Sequence, residues 1–247
     1  MGQFRIVRGA VAFAALLVCA PLAAQEKTGI KPGFALRPGT ARIVLMRPTI
    51  LVGAQSIGGV NEPNADWTRQ ARENIALALR QAQANVGNAM VEYDEGASGE
   101  GPLATEYAQL FGALADSVIE YQFFAGNRLP TKKRNDSFEW SIGADLGKLR
   151  SLAAADYALF ITTRDDYGSA GRKVLQMVAA MGGVGLKSGD HTGYAGLVDL
   201  RTGELVWLNA DRQMGGDVRT AEGASKRVSQ LLEGFPGKSS AAVNGAP

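Results

Sequence analysis

Apolar positions in this chain follow two rhythms, short runs of branched residues and longer stretches that repeat every three to four positions, and together they predict strands interleaved with helices. Arg42-Ile43-Val44-Leu45-Met46 has the pattern of a buried strand; Pro48 limits it, Ile50 to Val52 continue it irregularly, and Gly53 to Pro63 read as a loop. Asn64 is placed to cap a helix whose positive end suits Asp66, and Trp67, Ala71, Ile75, Leu79, Ala82 and Val86 recur at helical spacing before Gly87. Ala89 to Tyr93 supply the next strand. Pro102 opens a second helix with Leu103, Tyr107, Leu110, Leu114, Val118 and Tyr121 expected on one face.

Farther on, Phe138, Trp140 and Ile142 alternate as a short extended piece, and Leu146, Leu149 and Leu152 anchor a third helix. Tyr157 to Thr163 form a central strand leading into a polar loop, Arg164-Asp165-Asp166. Tyr194 to Leu200 and Glu204 to Asn209 pair as a hairpin across Arg201-Thr202-Gly203, with Leu205 and Trp207 expected on one face. Thr220 caps a last helix that turns Ala224, Val228, Leu231 and Leu232 inward. Helical stripes separated by short strands need a sheet to cover, so the fold class is α/β: a single domain, residues 41–235, with a mixed sheet packed by helices.

Arg172 to Leu186 breaks the pattern. The stretch is apolar and small-residue-rich without a clear amphipathic stripe, and as a helix of roughly 22 Å it falls short of a bilayer core of about 30 Å. Two roles fit it: filling the space between the sheet and the Tyr194 hairpin, or offering a contact for self-association or membrane docking.

The ends read differently from the body. Arg5 and Arg8 precede an apolar run from Ala10 to Ala20 and a small-residue site ending at Ala24, the layout of an export signal over residues 1–24. The apolar run, about 11 residues, is too short to span a bilayer. Cys19 is the only cysteine. Cleavage after Ala24 removes it, leaving a periplasmic chain with no disulfide, thiol or cysteine-ligated metal chemistry. The alternative is an outer-membrane lipoprotein acylated at Cys19, although Val18 stands where a small residue is expected. Residues 25–40, with Pro32-Gly33 and Pro38-Gly39, read as a linker, and residues 236–247 as a disordered tail.

Loss of Arg5 and Arg8 with the signal leaves 24 basic and 24 acidic residues. A balance near neutrality gives no footprint for a nucleic-acid partner. Lys132-Lys133-Arg134 reads as a solvated loop.

Sequences that imitate catalytic motifs fail on spacing. In Gly183-Val184-Gly185-Leu186-Lys187-Ser188 a leucine separates glycine from lysine, and a helix-like run precedes it where a phosphate loop needs a strand. Gly168-Ser169-Ala170-Gly171 lacks the first glycine of a nucleophile elbow and reads as a turn. His191, the only histidine, is expected in a solvated loop between Gly189 and Gly193, where substitution by alanine would be nearly neutral. Asp165 and Asp166 are expected solvated and, as neighbours on an extended chain, on opposite faces. No catalytic, cofactor-binding or metal residue is assigned. The one enzymatic alternative is a hydrolase of unfamiliar type using the Asp165, Asp166 and His191 region.

Two stretches carry a resemblance, the Ala155-Asp156-Tyr157-Ala158-Leu159-Phe160 strand entry and the Leu197 to Trp207 hairpin. With the order of elements around them they resemble the TolB N-terminal-like α/β domain, shared by CsgG-type secretion lipoproteins and PelC-type rings, and a set of uncharacterised proteobacterial exported proteins. The resemblance implies a non-enzymatic envelope protein that binds or assembles. No ligand, cofactor or site residue is carried over by it. It also brings up a membrane-inserting channel subunit, for which no convincing pair of alternating strand segments exists in this chain.

Overall fold

The structure, a computed structural model, describes residues 26–94, 101–124, 137–144, 146–186 and 189–237. The expected export signal, Cys19, the Lys132-Lys133-Arg134 run, Lys187, Ser188 and residues 238–247 lie outside the described residues.

One mixed sheet of nine strands carries the fold, in the order β1 (Glu26–Ile30), β9 (Glu204–Asp211), β8 (Asp190–Asp199), β7 (Tyr157–Gly168), β2 (Arg42–Leu45), β5 (Ala89–Glu92). β2 runs parallel to both β5 and β7. β3 (Thr49–Gln55) rejoins β7 in parallel beyond β2, carries β4 (Asn61–Pro63) on its other side, and β6 (Trp140–Ser141) adds to β9. Helices α1 (Ala65–Ala82) and α5 (Ala221–Leu231) cover one face of the sheet; α2 (Gly101–Val118) and α3 (Gly147–Ala153) cover the other. A further helix, α4 (Ala170–Met181), connects β7 to β8. The single-domain α/β expectation therefore holds, in three layers around two apolar cores.

β7 is the spine. Its alternation sends Leu159 and Ile161 to the α1/α5 core and Ala158 and Phe160 to the α2/α3 core. Asn64 caps α1 by accepting from the Trp67 N–H at 2.9 Å, and Thr220 caps α5 by accepting from the Gly223 N–H at 3.1 Å. Ala71, Ile75 and Leu79 of α1 and Ala224, Val228 and Leu231 of α5 are buried as their spacing predicts, as is Leu232 just beyond α5.

Four expectations change. Residues 26–30 are not linker: they pair antiparallel with β9 as an edge strand, because the free edge of that hairpin offers backbone partners that a polar segment accepts as readily as an apolar one. Within the expected 53–63 loop, β3 continues to Gln55 and pairs with β4.

α2 buries Ala104, Tyr107, Phe111, Ala115 and Val118, while Leu110 and Tyr121 stay exposed. Gly196 in β8 explains the rotation. Its missing side chain leaves the space that the Phe111 ring fills, stacked on Phe160 at 4.6 Å, and a Cβ there would lie 2.6 Å from that ring.

Leu205 and Trp207 face opposite cores. A bulge sets both Val206 and Trp207 against Leu197, so that Val206 and Trp207 enter the α1/α5 core while Leu205 and Leu208 enter the other. The hairpin turn itself is as expected: Asp199 accepts from the Arg201 and Thr202 N–H groups at 2.8 and 3.2 Å, and Gly203 supplies a φ of 71°.

Candidate functional site

The expected polar loop after Thr163 does not exist. β7 continues to Gly168, held between β3 and β8, so Asp165 stands opposite His191 and Asp166 opposite Asp190. Both carboxylates lose the solvated setting expected for them, and His191 lies on strand β8. The opposite-face expectation is met. Asp166 accepts from the Arg164 Nε at 3.2 Å, and Asp165 continues the inward series of Leu159 and Ile161 toward α5.

There it meets Arg227, a residue that no local pattern singles out. Both side chains are 0% exposed. Arg227 Nη1 and Nη2 donate to the two Asp165 oxygens at 2.8 and 2.7 Å, Nη1 also donates to Thr163 Oγ1, and Nε and Nη2 donate to the Gly215 and Gly216 carbonyls at 3.0 and 3.1 Å. All five guanidinium N–H groups are thereby used. Asp165 accepts further bonds from Thr163 Oγ1 at 3.1 Å and from His191 Nδ1 at 2.8 Å, which saturates its lone pairs.

Burial works to raise the Asp165 carboxyl, but the hydrogen bonds from His191 and Arg227 and the guanidinium charge outweigh it and hold the group below the ordinary aspartate range. With Asp165 ionised, the proton of a neutral imidazole belongs on Nδ1, an assignment made from the hydrogen-bond network. Nε2 then faces away as an acceptor, with no hydrogen-bond partner among the described residues, and the ring packs on Tyr167 at 4.8 Å.

A second polar layer covers the first. The Arg219 guanidinium lies 3.7 Å over the Tyr167 ring and 4.6 Å over Trp67, and it donates to both oxygens of Asp217 at 2.9 and 2.7 Å. Those bonds hold Asp217 at about 2. Tyr167 accepts from the Val218 N–H at 3.2 Å, and burial, reinforced by the charge of Asp165, pushes its phenol up.

Chemically, the Asp165–His191 pair resembles two parts of a nucleophilic triad. The third part is missing among the described residues: no hydroxyl or thiol sits within hydrogen-bond reach of Nε2. Ser169 is committed elsewhere, capping α4 by accepting from the Arg172 N–H at 3.2 Å. Among the described residues no group of three His, Cys, Asp or Glu side chains is placed to hold a metal ion.

Two other features are candidates for contact. A crevice of about 690 Å³ opens where β2 and β5 end, floored by Leu45, Met46 and Leu79 and rimmed by Arg47, Arg72, Glu92 and Asp94. The connections leaving these two adjacent parallel strands go to opposite faces of the sheet, α1 on one and α2 on the other, the position at which open α/β sheets form ligand crevices. The other feature is α4. None of its residues is buried, so the space-filling role expected for Arg172 to Leu186 is overturned. Its stripe of Val174, Met177, Val178 and Met181 faces solvent, and the helix is held at its first turn, where Gly171 packs on Ile57 of the β3–β4 turn.

No family model matches the chain, and no curated protein matches it. Among solved structures it is similar to two crystal forms of a PelC dodecamer from Paraburkholderia phytofirmans, each with a TM-score of 0.35. Identity is 13% and 12% over 85% of this chain and 98% and 97% of the PelC chains. At that level of superposition, nothing about assembly or partner transfers to this chain.

Proposed function

We propose that this chain is an exported bacterial envelope protein that acts by binding or assembly and not by catalysis, with α4 as its contact face. The observation that carries the reading is the outward-facing apolar stripe of α4 in a fold whose other α-helices, among the described residues, cover the sheet. The basic and apolar N-terminal segment, residues 1–24, supports export. Asp165, with every lone pair engaged and a buried guanidinium across it, is suited to holding Arg227 and His191 in place and has no capacity left for a metal.

Fractionation of expressing cells, with the intact mass of the recovered chain, tests this reading. The expected species begins at Gln25 in the periplasmic contents. Recovery of an acylated chain beginning at Cys19 would replace the periplasmic assignment with an outer-membrane lipoprotein, and an intact chain beginning at Met1 in the cytoplasm would end the envelope reading. The hydrolase alternative makes its own demand: Asp165→Asn and His191→Ala would each abolish one activity while the fold survives.

A further inference from the structure

Val174, Met177, Val178 and Met181 of α4 stand at i, i+3, i+4 and i+7 and are 60%, 66%, 60% and 85% exposed. That is the spacing of a buried helix face, turned outward. Val184, just past the helix, is exposed as well. Methionine is over-represented where an apolar surface must adapt to an irregular partner.

Three observations choose among partners. A second copy of this chain would need about 800 Å² from each partner for a stable contact, and four side chains on a helix of roughly 18 Å do not provide it. A bilayer surface sets no such requirement, because a helix lying in the interface plane embeds only its apolar side.

Charge supplies the second argument. From Tyr167 to Gly189 the sequence has no acidic residue and three basic ones; on α4 itself Lys173 is exposed, while Arg172 donates to the Ile57 carbonyl at 3.1 Å. An exposed cation on a helix free of acids complements anionic headgroups.

Placement in the fold supplies the third. β7 leaves the sheet toward α4 at Gly168 and β8 returns at Asp190; Gly193 pairs with Asp211, and Asp211 pairs with Glu26. The chain N-terminal to Glu26 therefore departs from the end of the sheet that carries α4. On the lipoprotein reading, seven residue steps separate Cys19 from Glu26, a reach of at most about 25 Å, so the acyl chains and the stripe would address the same surface.

We propose that α4 docks this protein on an anionic lipid bilayer, lying in the interface with Val174, Met177, Val178 and Met181 embedded. The proposal rests on the envelope reading for its biological setting but is tested separately from it. The purified chain is sedimented with vesicles of phosphatidylglycerol mixed with phosphatidylcholine and, in parallel, with phosphatidylcholine alone. The wild type is expected to co-sediment with the anionic vesicles and to be released by salt. Met177→Asp/Met181→Asp is expected to lose roughly tenfold in apparent affinity at an unchanged thermal midpoint, and Gln176→Ala on the opposite side to lose nothing.

An acyl group at Cys19 would act equally in every variant, so the difference between variants reports α4 alone. Equal sedimentation of the wild type and the double variant would overturn the proposal. So would a wild type that binds no vesicles but forms an oligomer that the variant abolishes, since α4 would then be a protein interface. Failure of export in the fractionation experiment leaves the vesicle result standing, and failure of vesicle binding leaves the export result standing.

Discussion

α4 and α5 are helices of nearly equal length, 12 and 11 residues, and they are used in opposite ways. α5 carries the more polar sequence and buries Gly223, Ala224, Arg227, Val228 and Leu231, a whole arginine among them; α4 carries the more apolar sequence and buries nothing. Composition alone would have exchanged their places. α5 follows the β8–β9 hairpin and folds back over the sheet beside α1, where a charged side chain can reach Asp165. α4 connects β7 to β8 where both run beyond most of the sheet, and its contacts go to β7 and the β3–β4 turn. What a helix buries here is decided by where its connections leave it.

The largest expected effect comes from breaking the α5 side of this contrast. Arg227→Met leaves Asp165 charged and buried with only His191 and Thr163 as partners, and chemical denaturation should show a loss of about 3–5 kcal/mol. Adding Asp165→Leu should recover much of it, because the cost lies in the stranded charge. An equally large loss in the double variant would mean that packing by the arginine stem dominates.

His191→Ala comes next, and here the structure reverses the expectation of near-neutrality. The substitution removes a hydrogen bond to a buried carboxylate and the contact with the Tyr167 ring, so a loss of about 1–2 kcal/mol is expected in the same measurement.

The helix caps sharpen the comparison. Thr220→Ala at the start of α5 should cost about 1 kcal/mol of global stability. Ser169→Ala at the start of α4 removes a cap of the same kind, yet it should leave global unfolding unchanged and raise only the amide exchange of α4, as expected of a helix that buries no residue.

Acid provides a smaller effect. Asp217 is held at about 2 against an ordinary value of 3.8, so its folded-state value is depressed. Its stabilisation is fully present above the unfolded value and lost as pH falls from about 4 toward 2. Because its side chain is 38% exposed, solvent screening reduces the contribution to below about 1 kcal/mol. Asp165, also depressed, acts with the same sign. Asp217→Asn should flatten the lower part of the acid-unfolding profile, and an unchanged profile would show that the Arg219 pair contributes nothing. Smallest of all is the effect of Met177→Asp/Met181→Asp on stability, expected within about 0.5 kcal/mol for exposed positions.

Much of the frame was readable from local pattern. The caps at Asn64 and Thr220, the stripes of α1 and α5 and the Asp199 turn each depend on interactions within a few residues, and each appears where its spacing places it. The site was far less readable. Arg227 and Asp165 are 62 positions apart, and no local rule distinguishes an arginine on an amphipathic helix from any other solvated cation. Asp165 looked like a loop residue because acids are poor strand formers; only the pairing of β7 with β3 and β8 carries the strand through it. A mixed hint was present in Thr163 and Asp165, which keep the inward parity of Leu159 and Ile161.

The sequence by itself determined the α/β class, the helix caps and the single-domain layout, since hydrophobic period, capping chemistry and turn residues are local properties. The tertiary structure decided which core Trp207 enters, which residues of α2 face the sheet, that residues 26–30 close an edge, and that α4 rather than α5 faces solvent. Each of these turns on a long-range event: a bulge opposite Leu197, the absence of a side chain at Gly196, the free edge of β9, and a connection leaving the sheet beyond its covered faces. Burial is a property of neighbours, and neighbours distant in sequence are set by topology.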